Sequence, residues 1–366
     1  MNPDLLYQLA LCDVPYIGPV NAKKLVDHFG TAQKIFAAPA SSIEAIHDIG
    51  PGTAWQIKHF KDFKAAENEI KFIERYKIEP LFITDPKYPQ RLLNVFDPPT
   101  LLFYRGTADL NTSRIVTIIG TRSSTEYGKS VTEKLVQALQ PYNVLIVSGL
   151  AFGIDSFAHK AAIKYDVPTV GVLAHGLDLI YPPEHSTLAR NMLKHGGLLS
   201  EFKSNTKPDK HNFPSRNRVA AGICDAVIVV ETGVKGGSLI TADLANSYHR
   251  DVFAIPGRIT DSKSSGCNAL IKDNKAVLLS DPEQFMETMG WNDDKHVKHK
   301  RARQLFNDLD ANEQKIVKLL EDDKSLHIDE LMFKSGMSTS VTASVILSLE
   351  LKSIIATLPG KRFVLI

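Results

Sequence analysis

From Phe213 to Arg218 the chain reads Phe-Pro-Ser-Arg-Asn-Arg, followed by a strand-like run, Asp225 to Glu231, and a glycine turn, Gly236-Gly237-Ser238. Two guanidiniums (Arg216, Arg218), an amide (Asn217) and one aromatic ring (Phe213) thereby stand beside a strand-to-helix turn. A guanidinium is a planar, permanent cation that matches phosphate oxygens, and an aromatic face gives an unpaired base something to stack on. The combination points to a site for single-stranded nucleic acid. Phe213 precedes Pro214, which favours an extended backbone, and its neighbours Lys210, His211, Asn212 and Arg216 are polar. A loop-borne stacking platform fits that setting better than a core phenylalanine.

Three strand-to-helix turns carry the remaining unusual residues: Gly120-Thr121-Arg122-Ser123-Ser124, the stretch from Ser148-Gly149-Leu150 to Asp155, and Glu231 through Ser238, where Lys235 adds a cation before Gly237. In a parallel sheet such turns gather at the carboxyl ends of the strands, where ligands bind. Glycine lets backbone approach a phosphate, and exposed N–H groups and hydroxyls donate to it. Other patterns fail. Gly128-Lys129-Ser130 resembles the end of a P-loop, but position 123 is Ser where that motif needs glycine. No Gly-x-Gly-x-x-Gly opens the sheet, so a dinucleotide is not supported. Asp155 and His159 lie one helical turn apart and read as a surface or capping pair, and His175 and Asp178 have no nucleophile at motif spacing. No catalytic residue, cofactor or metal is expected.

The elements that must position these turns follow from patterning. Continuous apolar runs at Arg114–Ile119, Val144–Ser148, Thr169–Leu173, Ala226–Glu231 and Val252–Ile255 alternate with helical spacing at Tyr127–Leu139, Ile154–Lys164, Glu184–Lys194 and Leu239–Tyr248. That is an α/β class, doubly wound parallel sheet. Residues 1–78 read as a helical domain in which Ile17-Gly18-Pro19 and Ile49-Gly50-Pro51 each open a helix, as in helix-hairpin-helix units; their first N–H groups can hold a phosphate. Residues 79–290 form the sheet domain, 291–304 a basic linker, and 305–366 a winged helix. Its second helix, Ser338 to Leu349, has no Arg, Lys, Asn or Gln to read a base edge. A protein contact or structural role therefore suits it better than duplex reading.

The 366 residues are 43% apolar and 23% charged with a net charge of only +2, so nucleic-acid affinity has to come from local clusters. Cys12, Cys224 and Cys267 are too few and too scattered for a disulfide framework or zinc pairs. No basic leader or run of roughly 18 apolar residues is present. A cytoplasmic protein without a membrane anchor is expected.

The motifs together resemble the DNA-processing protein A family (DprA, or Smf), which acts in bacterial natural transformation. Gly120-Thr121-Arg122, Ser148-Gly149-Leu150-Ala151 with Gly153-Ile154-Asp155, Tyr181-Pro182, Phe213-Pro214 with Arg216-Asn217-Arg218, Gly237-Ser238-Leu239-Ile240-Thr241-Ala242 and Ile255-Pro256-Gly257 fall in the family's order. The resemblance implies an extended Rossmann-like domain between a SAM- or helix-hairpin-helix-like domain and a winged helix. It also implies a protein that binds and protects incoming single-stranded DNA, dimerises through that domain and helps load the RecA recombinase. Arg122 and Lys210 would hold phosphates and Phe213 stack a base, while Gly120, Ser123 and Gly237-Ser238 line the pocket; one of Arg216 and Arg218 would brace the loop. Ser123-Ser124 departs from the proline or basic residue that many relatives carry. The competing class is a nucleoside-monophosphate phosphoribohydrolase on the same fold, with the signature Pro-Gly-Gly-x-Gly-Thr-x-x-Glu. Here its third glycine is Leu239 and its closing Glu is Asp243, and a side chain at that glycine blocks backbone from a phosphate. A scaffold that only bridges proteins would show no affinity for oligonucleotides.

Overall fold

Runs such as Ile115–Ile119, apolar on both sides of the single Thr117, leave neither face of their sheet polar, so both must be covered. The computed structural model describes residues 4–291, 309–323, 325–352, 354–358 and 360–365 and covers them in this way. The basic linker residues Lys295 to Arg303 lie outside the described residues. Among the described residues nine strands form one sheet: β1 (Glu79–Phe82), β2 (Leu101–Gly106), β3 (Ile115–Ile119), β4 (Leu145–Ser148), β5 (Thr169–Leu173), β6 (Gly196–Ser200), β7 (Ala226–Val229), β8 (Asp251–Ala254) and β9 (Val277–Leu278). Their spatial order is β1-β2-β6-β5-β4-β3-β7-β8-β9. β3 through β9 are parallel, with Val116 opposite Ala226 and Thr117 opposite Val147, and β1 and β2 add an antiparallel edge. The chain starts at β3, steps outward to β6 and returns to β7 on the other side of β3, which creates a topological switch point.

Alternate side chains of each strand feed two cores. Val116, Ile118 and Ile146 pack with Leu135, Val136 and Ala158 of the helices Glu126–Leu139 and Ile154–Lys164. Ile115, Ile119 and Val147 pack with Val219, Ala220 and Ala242 of the helices Asn212–Gly222 and Gly237–Ser247 on the other face. β6 is absent from the strands read from sequence, because Gly196 and Gly197 weaken the pattern. Both glycines are required there: an added Cβ would strike the backbone of Thr169 at one and the ring of Tyr104 at the other.

In the N-terminal helical region, Gly18 and Gly50 are extended and Pro19 and Pro51 open the helices Pro19–Phe29 and Pro51–His59, where proline's missing N–H and fixed φ are tolerated. Lys203 holds this region to the sheet through Leu9 O (2.9 Å) and Asp13 (2.5 Å). At the other end, helices Ala311–Asp322, Ile328–Ser335 and Thr339–Leu351 and strands β10 (Leu326–His327), β11 (Ile355–Leu358) and β12 (Arg362–Leu365) make a winged helix. The helix Thr339–Leu351 exposes Val341, Leu347 and Leu351.

The winged helix docks through a buried ionic cluster. Arg91 Nε and Nη2 grip Asp225 at 2.7 and 2.9 Å, and Arg250 Nη1 meets Asp329 at 2.6 Å. His327 lies 4.0 Å from Asp225 and 3.7 Å from Asp329. No described helix is long and apolar enough to cross a membrane.

Candidate nucleic-acid interface

β3 ends at Ile119 and the chain turns through Gly120-Thr121-Arg122. A fully buried glutamate, Glu231, braces this turn. Its carbonyl accepts from Thr121 N–H at 2.7 Å, and its carboxylate accepts from Thr125 N–H at 2.9 Å and from the Thr125 hydroxyl. Gly128 leaves room for that carboxylate, so Gly128-Lys129 serves packing. Held in this way, Arg122 is exposed and its guanidinium carbon lies 5.0 Å from the Phe213 ring centroid. Arg216 approaches the same ring at 5.9 Å. Both distances fall within cation–π range.

Phe213 is half-buried and belongs to the first turn of the helix Asn212–Gly222, which corrects the extended loop expected from Phe-Pro. In the first helical turn no intrahelical acceptor waits for an N–H, so Pro214 is tolerated there and Phe213 takes helical geometry. The helix fixes the ring more firmly than a loop would.

Arg122, Phe213 and Arg216 share a slot with Leu150 and Ala151 of the second turn and with the ends of β5. Phe152 and Tyr181, each about half exposed, also line it. Sequence reasoning passed over these two rings although both lie in the motifs quoted; an aromatic residue inside a glycine turn was the available signal.

The other sequence-derived candidates fall around the slot. Lys210 is exposed three residues before Phe213, and Asn217 is half-buried behind Arg216. Gly120 packs on Ile154, and Gly149 packs on the guanidinium of Arg216, where a Cβ would overlap it. Ser123 is exposed and accepts from Lys263 Nζ. Lys235 and Gly237 are exposed on the turn after β7, and Ser238 is buried, donating to Thr232 Oγ1 at 2.7 Å. These three do not line the slot. Arg218 turns away from it, bonded to Glu201 and to the carbonyl of Asp97.

Arg216 is buried, with Nη1 3.9 Å from Asp155 Oδ2. Burial pushes the Arg216 guanidinium down from its ordinary value against the pull of Asp155, and burial pushes the Asp155 carboxyl up against the pull of Arg216. Asp155 and His159 are both interior and bond separately to the turn, which corrects the surface half of their reading as a surface or capping pair. The cause is the turn itself: Asp155 accepts from Ala151 N–H at 3.3 Å, and His159 Nε2 donates to Gly149 O at 2.6 Å. Thr169 Oγ1 sits 2.7 Å from His159 Nδ1. Burial lowers the His159 pKa to about 4.

A histidine that resists protonation when folded contributes fully above its unfolded pKa of about 6.5. Its contribution falls as the pH drops from there toward 4. His159→Gln is expected to lose that share of the acid dependence, read as the difference in unfolding free energy between parent and variant across pH 7 to 4. Parallel pH curves would show that His159 titrates as an exposed group.

Residues 79–290 match the family described as DNA recombination-mediator protein A, residues 300–361 the DprA winged helix domain, and residues 6–70 a helix-hairpin-helix motif. Protein Smf of Synechocystis is 36% identical over 79% of this chain and 73% of its own. DNA processing protein DprA of Streptococcus pneumoniae is 38% identical over 62% of this chain and 84% of its own. Among solved structures, S. pneumoniae DprA superposes with a TM-score of 0.67 at 32% identity, covering 78% of this chain and 97% of that one. A structure describing the single-stranded DNA binding mode of DNA processing protein A from Helicobacter pylori superposes with a TM-score of 0.54 at 30% identity, over 59% of this chain and 97% of that one. With the sheet, its flanking modules and the ordered turns in agreement with these matches, the chain belongs to the DprA/Smf family.

Proposed function

We propose that this chain binds single-stranded DNA across the loops at the carboxyl ends of β3 to β7 and acts as a DNA-processing factor in transformation, protecting the strand and helping to load RecA. The observation that carries the reading is the Arg122 guanidinium held 5.0 Å over the Phe213 ring at the mouth of an open slot. That arrangement offers one cation for backbone phosphate and one ring face for a base. Lys210 and Lys235 extend the cationic rim, Arg218 braces the loop, and the bound strand is sequence-tolerant because phosphate and stacking contacts dominate. The same reading includes a homodimer through the sheet domain, a cytoplasmic setting and a winged helix that meets protein through its exposed apolar residues.

Hydrolysis of nucleoside monophosphates is the weaker reading. The one carboxylate near the required position, Asp243, is exposed and paired with Lys275 at 2.8 Å, away from the slot. Release of free base from nucleoside monophosphates would reverse this judgement.

Affinity for oligo-dT is expected to fall with salt, with a slope of about −0.7 per neutralised phosphate. Arg122→Ala is expected to weaken binding to every sequence alike and to make that slope shallower by about one contact. Fluorescence anisotropy at several salt concentrations measures both. Parent-like affinity and slope in Arg122→Ala and Lys210→Ala alike would put the groove elsewhere.

A further inference from the structure

Lys210 stands on a segment that the sheet does not build. The chain from Glu201 to His211 links β6 to the helix Asn212–Gly222 with no helix or strand of its own. Its ends are fixed within the sheet domain, Glu201 by Arg218 and Asn212 through its side-chain amide, which donates to Ala174 O at 3.2 Å. Its middle is gripped from outside that domain. Glu69, 5% exposed on the helix Phe63–Tyr76, accepts from Ser204 N–H at 3.0 Å and from the Ser204 hydroxyl at 2.5 Å. Beside it, Lys203 is drawn to Asp13 and Leu9 O. The N-terminal helical region thus holds two consecutive residues of the segment that carries Lys210.

A short, stiff bridge carries this grip to Lys210. Thr206 donates to Lys203 O at 3.3 Å and accepts from Gly176 N–H at 3.0 Å, Pro208 fixes its own φ and restricts Lys207, and Asp209 accepts from His211 N–H at 2.8 Å. With Ser204 located at one end and Asn212 at the other, few positions remain for Lys210. Released from Glu69, the segment would sample many, and collecting the lysine onto a phosphate would then cost conformational entropy at the moment of binding. Resting on the single-stranded DNA reading, we propose that Glu69, aided by Asp13, is a positioning residue for DNA binding: the helical region sets where Lys210 meets the strand. The sign of the effect separates this role from plain electrostatics. Glu69→Ala and Asp13→Ala each remove a negative charge, which by charge alone strengthens binding to a polyanion, whereas loss of the grip weakens it.

The test uses the full chain and oligo-dT, with anisotropy read at several salt concentrations and thermal melting to confirm folding. Glu69→Ala is expected to lower affinity by nearly the same factor as Lys210→Ala and to make the salt slope shallower by about 0.7, one phosphate contact. On top of Lys210→Ala it is expected to change affinity by less than about twofold. On top of Phe213→Ala it keeps its full effect, because the helix Asn212–Gly222 holds that ring independently. Glu69→Gln retains an acceptor for Ser204 N–H and turns an amide donor to the hydroxyl, so it is expected to bind as the parent does. If Glu69→Ala does not fold, Ser204→Ala and Asp13→Ala carry the same cycle with a smaller loss, since each leaves part of the grip in place. Affinity equal to or above the parent's in the folded variant would overturn the proposal, as would an equal loss with and without Lys210. Either result leaves the DNA reading standing, because the parent still binds; no binding by the parent would remove both.

Discussion

Asp225→Ala is expected to destabilise the chain by roughly 3–5 kcal/mol, the usual cost of stripping one partner from a buried ion pair. Asp225 accepts from Arg91 Nε and Nη2 and from Ile115 N–H at 2.8 Å, all buried. Burial alone would raise its carboxyl, but Arg91, with His327 behind it, holds it below the ordinary carboxylate range. That stabilisation is present above an unfolded pKa of about 3.9 and is lost as acid titrates the folded carboxylate. Without Asp225, Arg91 keeps, among the described residues, only the carbonyls of Thr112 and Ser113 as hydrogen-bond acceptors, and His327 loses the carboxylate 4.0 Å away, while Asp329 keeps Arg250. Chemical denaturation at neutral pH measures the loss. A loss under about 1 kcal/mol would place this pair among solvent-screened ones, and the joint replacement Arg91→Met with Asp225→Leu is expected to recover most of the stability.

Phe213→Ala is expected to weaken single-stranded DNA binding by roughly 1–3 kcal/mol, the range for one base–aromatic stack. The ring is half-buried in a helical first turn with Arg122 and Arg216 on it, so its removal takes away the stacking face and leaves both cations in place. The salt slope is therefore expected to stay at the parent value while affinity falls, the opposite signature to Arg122→Ala. Phe213→Tyr keeps a face and is expected to bind nearly as the parent does. Parent-like affinity in folded Phe213→Ala would show that the ring only supports Arg122.

The parallel sheet was legible because buried strands such as Ile115–Ile119 and Thr169–Leu173 have no polar face, and the winged helix because its helices keep their spacing around Gly336. β6 was not, since its glycines exist for tertiary clearance that no local pattern records. At the site, Arg122 and Phe213 were legible by residue type, and their proximity came from a helix placed by the sheet. What escaped were the relations set by burial: Asp155 and His159 in the interior, Arg216 desolvated, Arg218 taken up by Glu201, and Phe152 and Tyr181 brought beside a ring far along the chain. A lone sequence gives identities and spacing, while burial and pairing are decided by elements more than 50 residues apart, as between Leu150 and Phe213.

Asp225 and Arg250 sit just before β7 and β8, whereas Arg122, Leu150 and Ala174 follow β3, β4 and β5. Strands of four or five residues at about 3.3 Å per residue therefore stand between the clamp on the winged helix and the slot. The two features stand at opposite poles, so under the proposed function a strand held at one would leave the apolar side chains Val341, Leu347 and Leu351 of the winged helix uncovered for a partner.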